Sequence, residues 1–463
     1  MFTRRHLLQS TASGFGYLAF AALAHEQALR AADAPKNPLA PKPAPLPAKA
    51  KRVIFLCMEG APSHVDTFDF KPKLQADNDK PYTKGRFGGA KLLGSQWEFK
   101  PRGKSGLPIS DLFPELSKHA DDLCLLNGMQ TDLPNHPQAF LQMHCGIFQF
   151  PRPSLGAWVL YGLGTENANL PGFITLGPPS NNGGPQNYGS SFLPAIYQGT
   201  KIGANRFGPM GGGGGDSQVS NLKNPRRSAD AQRVQLDFMQ SLNRNALENG
   251  GDATGIEGMI ESYELAFRMQ AELPKLMDIS KETKATQDSY GLTGPTAGFG
   301  RQCLLARKFV EAGVRFVEVT AGGWDHHQNL KAALEGRCEA IDKPIAGLLA
   351  DLKQRDMLKD TLVMWGGEFG RTPTAQNGNG RDHNAKGYTM WMAGGGVKGG
   401  LRHGATDEHG FEAVEGKTHI HDWHATILHL LGLNHEKLTY NYAGREMKLT
   451  DIKGGTVVKE ILL

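Results

Sequence analysis

The stretch Thr361–Gly400, TLVMWGGEFGRTPTAQNGNGRDHNAKGYTMWMAGGGVKGG, decides how the chain is read. Thr361–Trp365 is an apolar run short enough for a buried strand. It breaks into Gly366-Gly367-Glu368-Phe369-Gly370-Arg371, a glycine-rich loop carrying an acid and an arginine. Asp382-His383 follows in a polar Gly/Asn segment, and a second apolar run, Tyr388–Ala393, leads into three glycines. Open α/β sheets bind ligands at the carboxyl ends of their strands, where such loops collect. A carboxylate, a histidine and basic groups placed there point to a metal or anion site.

The same grammar recurs on either side. Val53–Met58 has a buried-strand pattern and stops at Glu59-Gly60-Ala61-Pro62, followed by Ser63–Asp69 with two acids and a histidine. Val314–Thr320 reads as a strand ending in Gly322-Gly323-Trp324-Asp325-His326-His327. Helical patterns cover Leu112–Ala120, Gln138–His144, Ala229–Asn249, Gly255–Ala271, Gln302–Ala312 and Leu330–Arg355. A terminal helix within Thr418–His435 packs Ile427, Leu428, Leu430 and Leu431 onto the sheet. Strands alternating with helices predict one α/β domain with a mostly parallel sheet.

Composition narrows the class. At 463 residues, 39% hydrophobic and 21% charged, the chain has the balance of a folded globular protein. A formal charge of +5 with no basic block interleaved with aromatics argues against nucleic-acid binding. Five cysteines without paired spacing argue against a disulfide scaffold. Arg4-Arg5 followed by the apolar run Gly14–Ala24 has the form of a removable signal peptide over residues 1–34, resembling a twin-arginine (Tat) signal. The expectation is export to the periplasm or beyond, with no stable membrane span. Residues 35–51 are Pro/Ala/Lys-rich and read as an extended linker, and 52–463 as the folded domain. The Gly/Asn/Pro-rich segment Pro178–Gly215 is long enough to be a lid or binding surface.

Four strand-exit loops combine acid and histidine: Glu59–Asp69, Trp324–His327, Glu368–His383 and His419–His424. A lone Asp-His pair is usually a solvated turn; four on one edge suit a cation held by carboxylate and imidazole. Asp325 and His327 are the sharpest pair, since D-x-H on extended backbone sends both side chains the same way. Glu368 sits at the sheet rim, either as a ligand or paired with Arg371. Asp382-His383 fits a ligand pair or a plain surface loop. Among His419, His421 and His424, one ligand and two bystanders are expected, and His421 is the candidate. Arg371 and Lys386 could bind a substrate anion.

Together, MEGAPSHVDTFDFKP at 58–72, GGWDHHQN at 322–329, GGEFGRTP at 366–373, RDHNAKGY at 381–388 and HIHDWHATILHLLGL at 419–433 resemble the DUF1501 family. That family is similar to the sulfatases of the alkaline-phosphatase-like superfamily. The resemblance implies an αβα sandwich and metal-assisted hydrolysis of phosphate or sulfate esters. By the resemblance, Glu59 or its rival Asp66, with Asp325 and His327, stand at metal-binding positions. Glu368 stands at the acid of the sulfatase metal motif and Phe369 where its second ligand is expected, with His383 as a replacement from the next loop. Asp422 is as well placed to be structural as catalytic. The nucleophile region corresponds to Thr131–Gly146, where Thr131 is the hydroxyl and His136 an alternative nucleophile or general acid. No C-x-P-x-R or C-x-A-x-R sulfatase signature is present.

The expected function is therefore an exported hydrolase using one or two divalent ions (Zn, Mn, Ca or Fe) on an anionic ester or a sulfated or phosphorylated glycan. The alternative is a non-catalytic protein that binds anionic glycans or esters and has lost the nucleophile.

Overall fold

The computed structural model describes residues 37–83, 85–203, 226–249, 253–451 and 453–463. Strand β1 (Arg52–Met58) is apolar and buried from Val53 onward, as a strand covered on both faces must be. It lies between β5 (Phe316–Ala321) and β6 (Thr361–Gly366), parallel to both. Among the described residues the sheet has nine strands, with β2 (Leu123–Gln130), β3 (Phe173–Leu176), β4 (Thr200–Ile202), β7 (Tyr388–Ala393), β8 (Leu401–His403) and β9 (Thr418–His419) completing it. The order is β8-β2-β7-β6-β1-β5-β3-β4, and β9 pairs with the end of β2. Among these described strands only β7 is antiparallel to its neighbours. The sheet is thus mixed but mostly parallel, as the sequence predicts.

Helices cover both faces and make the αβα sandwich. On one face α1 (His136–Cys145), α2 (Leu155–Leu163) and a late helix, Ile420–Leu430, meet the sheet. The Phe55 ring of β1 packs against His144 at 6.0 Å and Trp423 at 5.5 Å between centroids. Two surface helices, α3 (Ala229–Glu248) and α4 (Ala253–Met277), pack on each other. On the opposite face α5 (Ala297–Glu311) lies on β1 and β5, with α6 (Leu330–Gln354) beside it. The late helix is α7. The helix expected at Leu112–Ala120 is instead a 3-10 segment, Leu116–Asp122, held where Asp342 of α6 accepts from the Glu115 and Leu116 amides at 2.8 and 2.7 Å.

Residues 37–51 form no helix or strand, in keeping with an extended segment, but they are docked along their length. Leu39 is buried, Lys42 N donates to Leu163 O, and Leu46, Lys49 and Ala50 donate to the last carbonyls of α7 and its turn. The expected signal segment, 1–34, and residues 204–215 of the long Gly/Asn loop lie outside the described residues. No described helix is long and apolar enough to cross a membrane.

Register places the chemistry. Met58 of β1 faces Ala321 of β5, and Cys57 faces Gly366 of β6, so three strands end in line. The loops leaving them, at Glu59, Asp325 and Glu368, open on one edge. The antiparallel course of β7 brings the hairpin Gly370–Gln376/Gly380–Asn384 to that same edge.

Candidate metal centre

Four side chains converge beyond this edge: His136, Asp325, His327 and His383, with their donor atoms all within 4.8 Å of one another. Asp325 is the hub. Its Oδ1 lies 2.9 Å from His327 Nε2, 3.3 Å from His383 Nε2 and 3.1 Å from His136 Nε2. Each imidazole has its other nitrogen tied back. His136 Nδ1 donates to Glu368 Oε1 at 2.5 Å, His383 Nδ1 to the Pro134 carbonyl at 2.9 Å, and His327 Nδ1 to Gln376 Oε1. With Nδ1 carrying the hydrogen in all three rings, all three Nε2 lone pairs face the hub.

That arrangement fits a cation. His327 Nε2 and His383 Nε2 stand 2.9 Å apart, two lone pairs facing each other with a carboxylate oxygen beside them. His136 Nε2 is buried with no aligned hydrogen-bond partner, despite its short distance to Asp325. A divalent ion satisfies three imidazoles and a carboxylate at once. Without one, a proton does part of the work. Burial alone would lower the His136 pKa, but Asp325 and Glu368 beside it raise it to about 9. For Asp325, burial acts upward and is overcome by His136, His383 and Arg371, which hold its carboxyl far below the usual range.

The supports are local and specific. Gly60 donates its amide to both oxygens of Glu368, at 3.1 and 3.3 Å. Its φ is +109°, and a Cβ there would sit 2.8 Å from the Asp325 amide nitrogen, so only glycine fits. Gly380 is pressed against the His327 loop, where a Cβ would lie 2.0 Å from the His327 carbonyl carbon. Phe369 packs its ring 4.8 Å from His136 and 4.7 Å from His383, and so walls the imidazoles instead of joining them.

A family model described as Protein of unknown function (DUF1501) matches residues 50–462. The chain belongs to the DUF1501 family. No curated protein matches it. Among solved structures this DUF1501 chain is similar to PsFucS1 sulfatase from Pseudoalteromonas sp., at 12% identity over 88% of this chain and 70% of that one, with a TM-score of 0.37. It is also similar to a mutant TAB5 alkaline phosphatase with magnesium bound (10% identity, 84% and 99%, TM-score 0.35). A third is the lipoteichoic acid synthase LtaP from Listeria monocytogenes (8%, 87% and 74%, 0.36). At such values the likeness is one of chain course, and the chemistry rests on this chain's own side chains.

The remaining expected residues of the DUF1501 chain fall in different places. Asp66 is fully buried and bound by Arg381 through two contacts, 2.7 and 2.9 Å, with Ser63 Oγ donating as well; it is a core ion pair and not a ligand. His421 donates Nε2–H to the Gly146 carbonyl at 2.6 Å and belongs to the α1–α7 contact, not the centre. Asp382 accepts from the His383 amide at 2.8 Å and is outside the four. Glu59 takes an amide hydrogen from Asn182 at 2.8 Å, so the long Gly/Asn loop reaches the rim. Glu368 is completely buried and orients His136, as carboxylates behind histidine ligands do.

Arg371 is buried as well. It donates to Asp325 Oδ1 at 2.6 Å and to the carbonyls of Gly60, Ala61 and Arg381, and its burial turns it to the protein and away from a substrate. Asp422 belongs to the capping box of α7, a structural task. Thr131 donates to Gln142 Oε1 at 2.9 Å, away from the four. Lys386 is exposed and paired with Glu412 at 2.7 Å. Thr131, Lys386 and His383 share the wall of a cavity of about 730 Å³ that opens beside the centre.

Proposed function

We propose that this protein is a metal-dependent hydrolase of phosphate or sulfate esters, acting at the His136–Asp325–His327–His383 centre. The observation behind this is the facing of three Nε2 atoms on one carboxylate, each ring fixed through its Nδ1. A divalent cation held there supplies Lewis acidity toward an ester oxygen and makes a neighbouring water more acidic. The chain's own groups set the stage. Glu368, Gln376 and the Pro134 carbonyl orient the imidazoles, and Arg371 fixes Asp325 from the protein side. The cavity beside His383 takes the organic part of the ester, with Lys386 on its wall within the same space as the incoming anion.

His136 stands at the first turn of α1 with one nitrogen on Glu368 and the other toward Asp325, so it serves as a donor to the cation and not as a free nucleophile. With Thr131 turned to Gln142, the attacking group is water. Metal identity, whether one ion or two, and export by the Tat route belong to this proposal. One observation favours the second reading, a binding protein without turnover. Neither expected hydroxyl nor Arg371 is available at the centre.

Elemental analysis with hydrolysis of aryl phosphate and aryl sulfate tests both. The hydrolase reading requires bound metal and turnover, both lost in His327→Gln and His383→Gln. Metal bound without turnover on either ester, across zinc, manganese, calcium and iron, leaves the binding protein. Absence of metal removes the metal site and the mechanism built on it.

A further inference from the structure

We propose a second metal site, fully buried and suited to a zinc-type cation, formed by Cys57, His144 and Glu318 in the core between the sheet and α1. Nothing in the reading of the open centre requires it. Phe55 lies opposite Glu318, and Cys57 opposite Thr320, in the β1–β5 register. Cys57 and Glu318 therefore project from the same face of the sheet, and the last turn of α1 sets His144 over them. Their sulfur, nitrogen and oxygen donors are all within 4.8 Å of one another. Exposure is 0% for Cys57, 4% for His144 and 1% for Glu318.

A carboxylate at the middle of a parallel sheet is costly without a counter-charge. Thr320 Oγ1 donates to Glu318 Oε1 at 3.3 Å, and His144 Nε2 lies 3.2 Å from Glu318 Oε2. His144 Nδ1 donates to the Phe140 carbonyl at 2.8 Å, so in the neutral ring Nε2 offers a lone pair. That Nε2 has no aligned hydrogen-bond partner at its short distance from the carboxylate; burial alone would lower the ring's pKa, and Glu318 beside it raises it. The Cys57 sulfur completes the group, within 4.8 Å of both donors.

A cavity of about 10 Å³ lies on the His144–Glu318 side of the cluster, with Asn187 and apolar side chains such as Phe55 and Phe173 on its other walls. It is close to the smallest volume that holds one water. Asn187 is 1% exposed and its Oδ1 lacks a partner, which is what a water bound there would serve. Sulfur, imidazole and carboxylate with one water make a tetrahedral set, and the thiolate selects zinc over calcium or magnesium. Charge balances: the cation displaces the thiol proton and is neutralised by thiolate and carboxylate, with His144 neutral. Because α1 carries His136 in its first turn and His144 in its last, the buried ion fastens to the sheet the helix that feeds the open centre.

The experiment is cobalt(II) substitution of the full chain, expressed in zinc-depleted, cobalt-supplemented medium and read by electronic absorption. The open centre contains no sulfur, so a thiolate-to-cobalt charge-transfer band reports the buried site alone. The band is expected in the wild type and in His327→Gln, and is lost in Cys57→Ser, with circular dichroism confirming the fold. If Cys57→Ser does not fold, His144→Gln is read by its loss of the same band. A folded, cobalt-bearing wild type without the band overturns the proposal, as does a band that persists in Cys57→Ser. His144 and Glu318 are then an imidazolium–carboxylate pair, and the open centre is unaffected by that outcome.

Discussion

Asp66 and Asp325 are both carboxylates a few residues past a parallel strand, and their surroundings give them different tasks. Asp66 is sealed with Arg381, both at 0% side-chain exposure. Asp66→Asn leaves a buried arginine unpaired and is expected to cost about 3–5 kcal/mol, read as a lower denaturant midpoint, with metal content unchanged. His327→Gln should do the reverse. Its side chain is 31% exposed, so metal-free stability stays within about 0.5 kcal/mol of wild type, while bound metal falls to background. Equal metal loss in both variants would contradict the assignment. The sequence made Asp325, His327, His383 and Glu368 legible because acid and histidine followed strand patterns. It could not separate Asp66 from them, since the partner that removes it lies 315 positions away. It weighed His136 as nucleophile or acid because the Glu368 contact, across 232 positions, was equally invisible. Cys57, His144 and Glu318 escaped notice because each sits inside an apolar or helical run.

At the level of elements, the centre depends on how closely loops approach one another. The β1 exit touches the β5 exit at Gly60, where φ is +109° and a Cβ would meet the Asp325 amide. Gly60→Ala is expected to cost about 1–3 kcal/mol through backbone strain. It should also weaken metal binding by displacing Asp325 from the three imidazoles, as measured by calorimetric titration. Unchanged affinity would show that the Trp324–Asp325 backbone yields without disturbing the cluster. Strands β1, β5, β6 and β7 were legible as apolar runs between glycine-rich breaks. The antiparallel direction of β7 was not, because a buried strand reads alike in either direction.

Across the whole molecule, the segment 37–51 binds α2 and the end of α7 together. Leu39 is 4% exposed, and Leu39→Ala is expected to cost about 2–5 kcal/mol, visible in thermal unfolding. Composition suggested only an extended linker, because two leucines among prolines, alanines and lysines carry no periodic signal. The pH dependence follows from His136. Its folded pKa of about 9 is raised above an unfolded value of 6.5, so its stabilisation is complete below about pH 6.5 and is lost as pH rises through 9. The denaturant midpoint of chelator-treated protein should therefore fall between pH 7 and 10, with the slope flattened in His136→Gln. The four donors also come from segments far apart in the chain, joined only when β7 closes against β2 and β6. Such long-range closure is slow to form, so an unfolded chain has no preassembled grip on the ion. A cation that binds only the finished sheet would shift the folding balance by mass action, and metal supply during maturation would then control how much native protein accumulates.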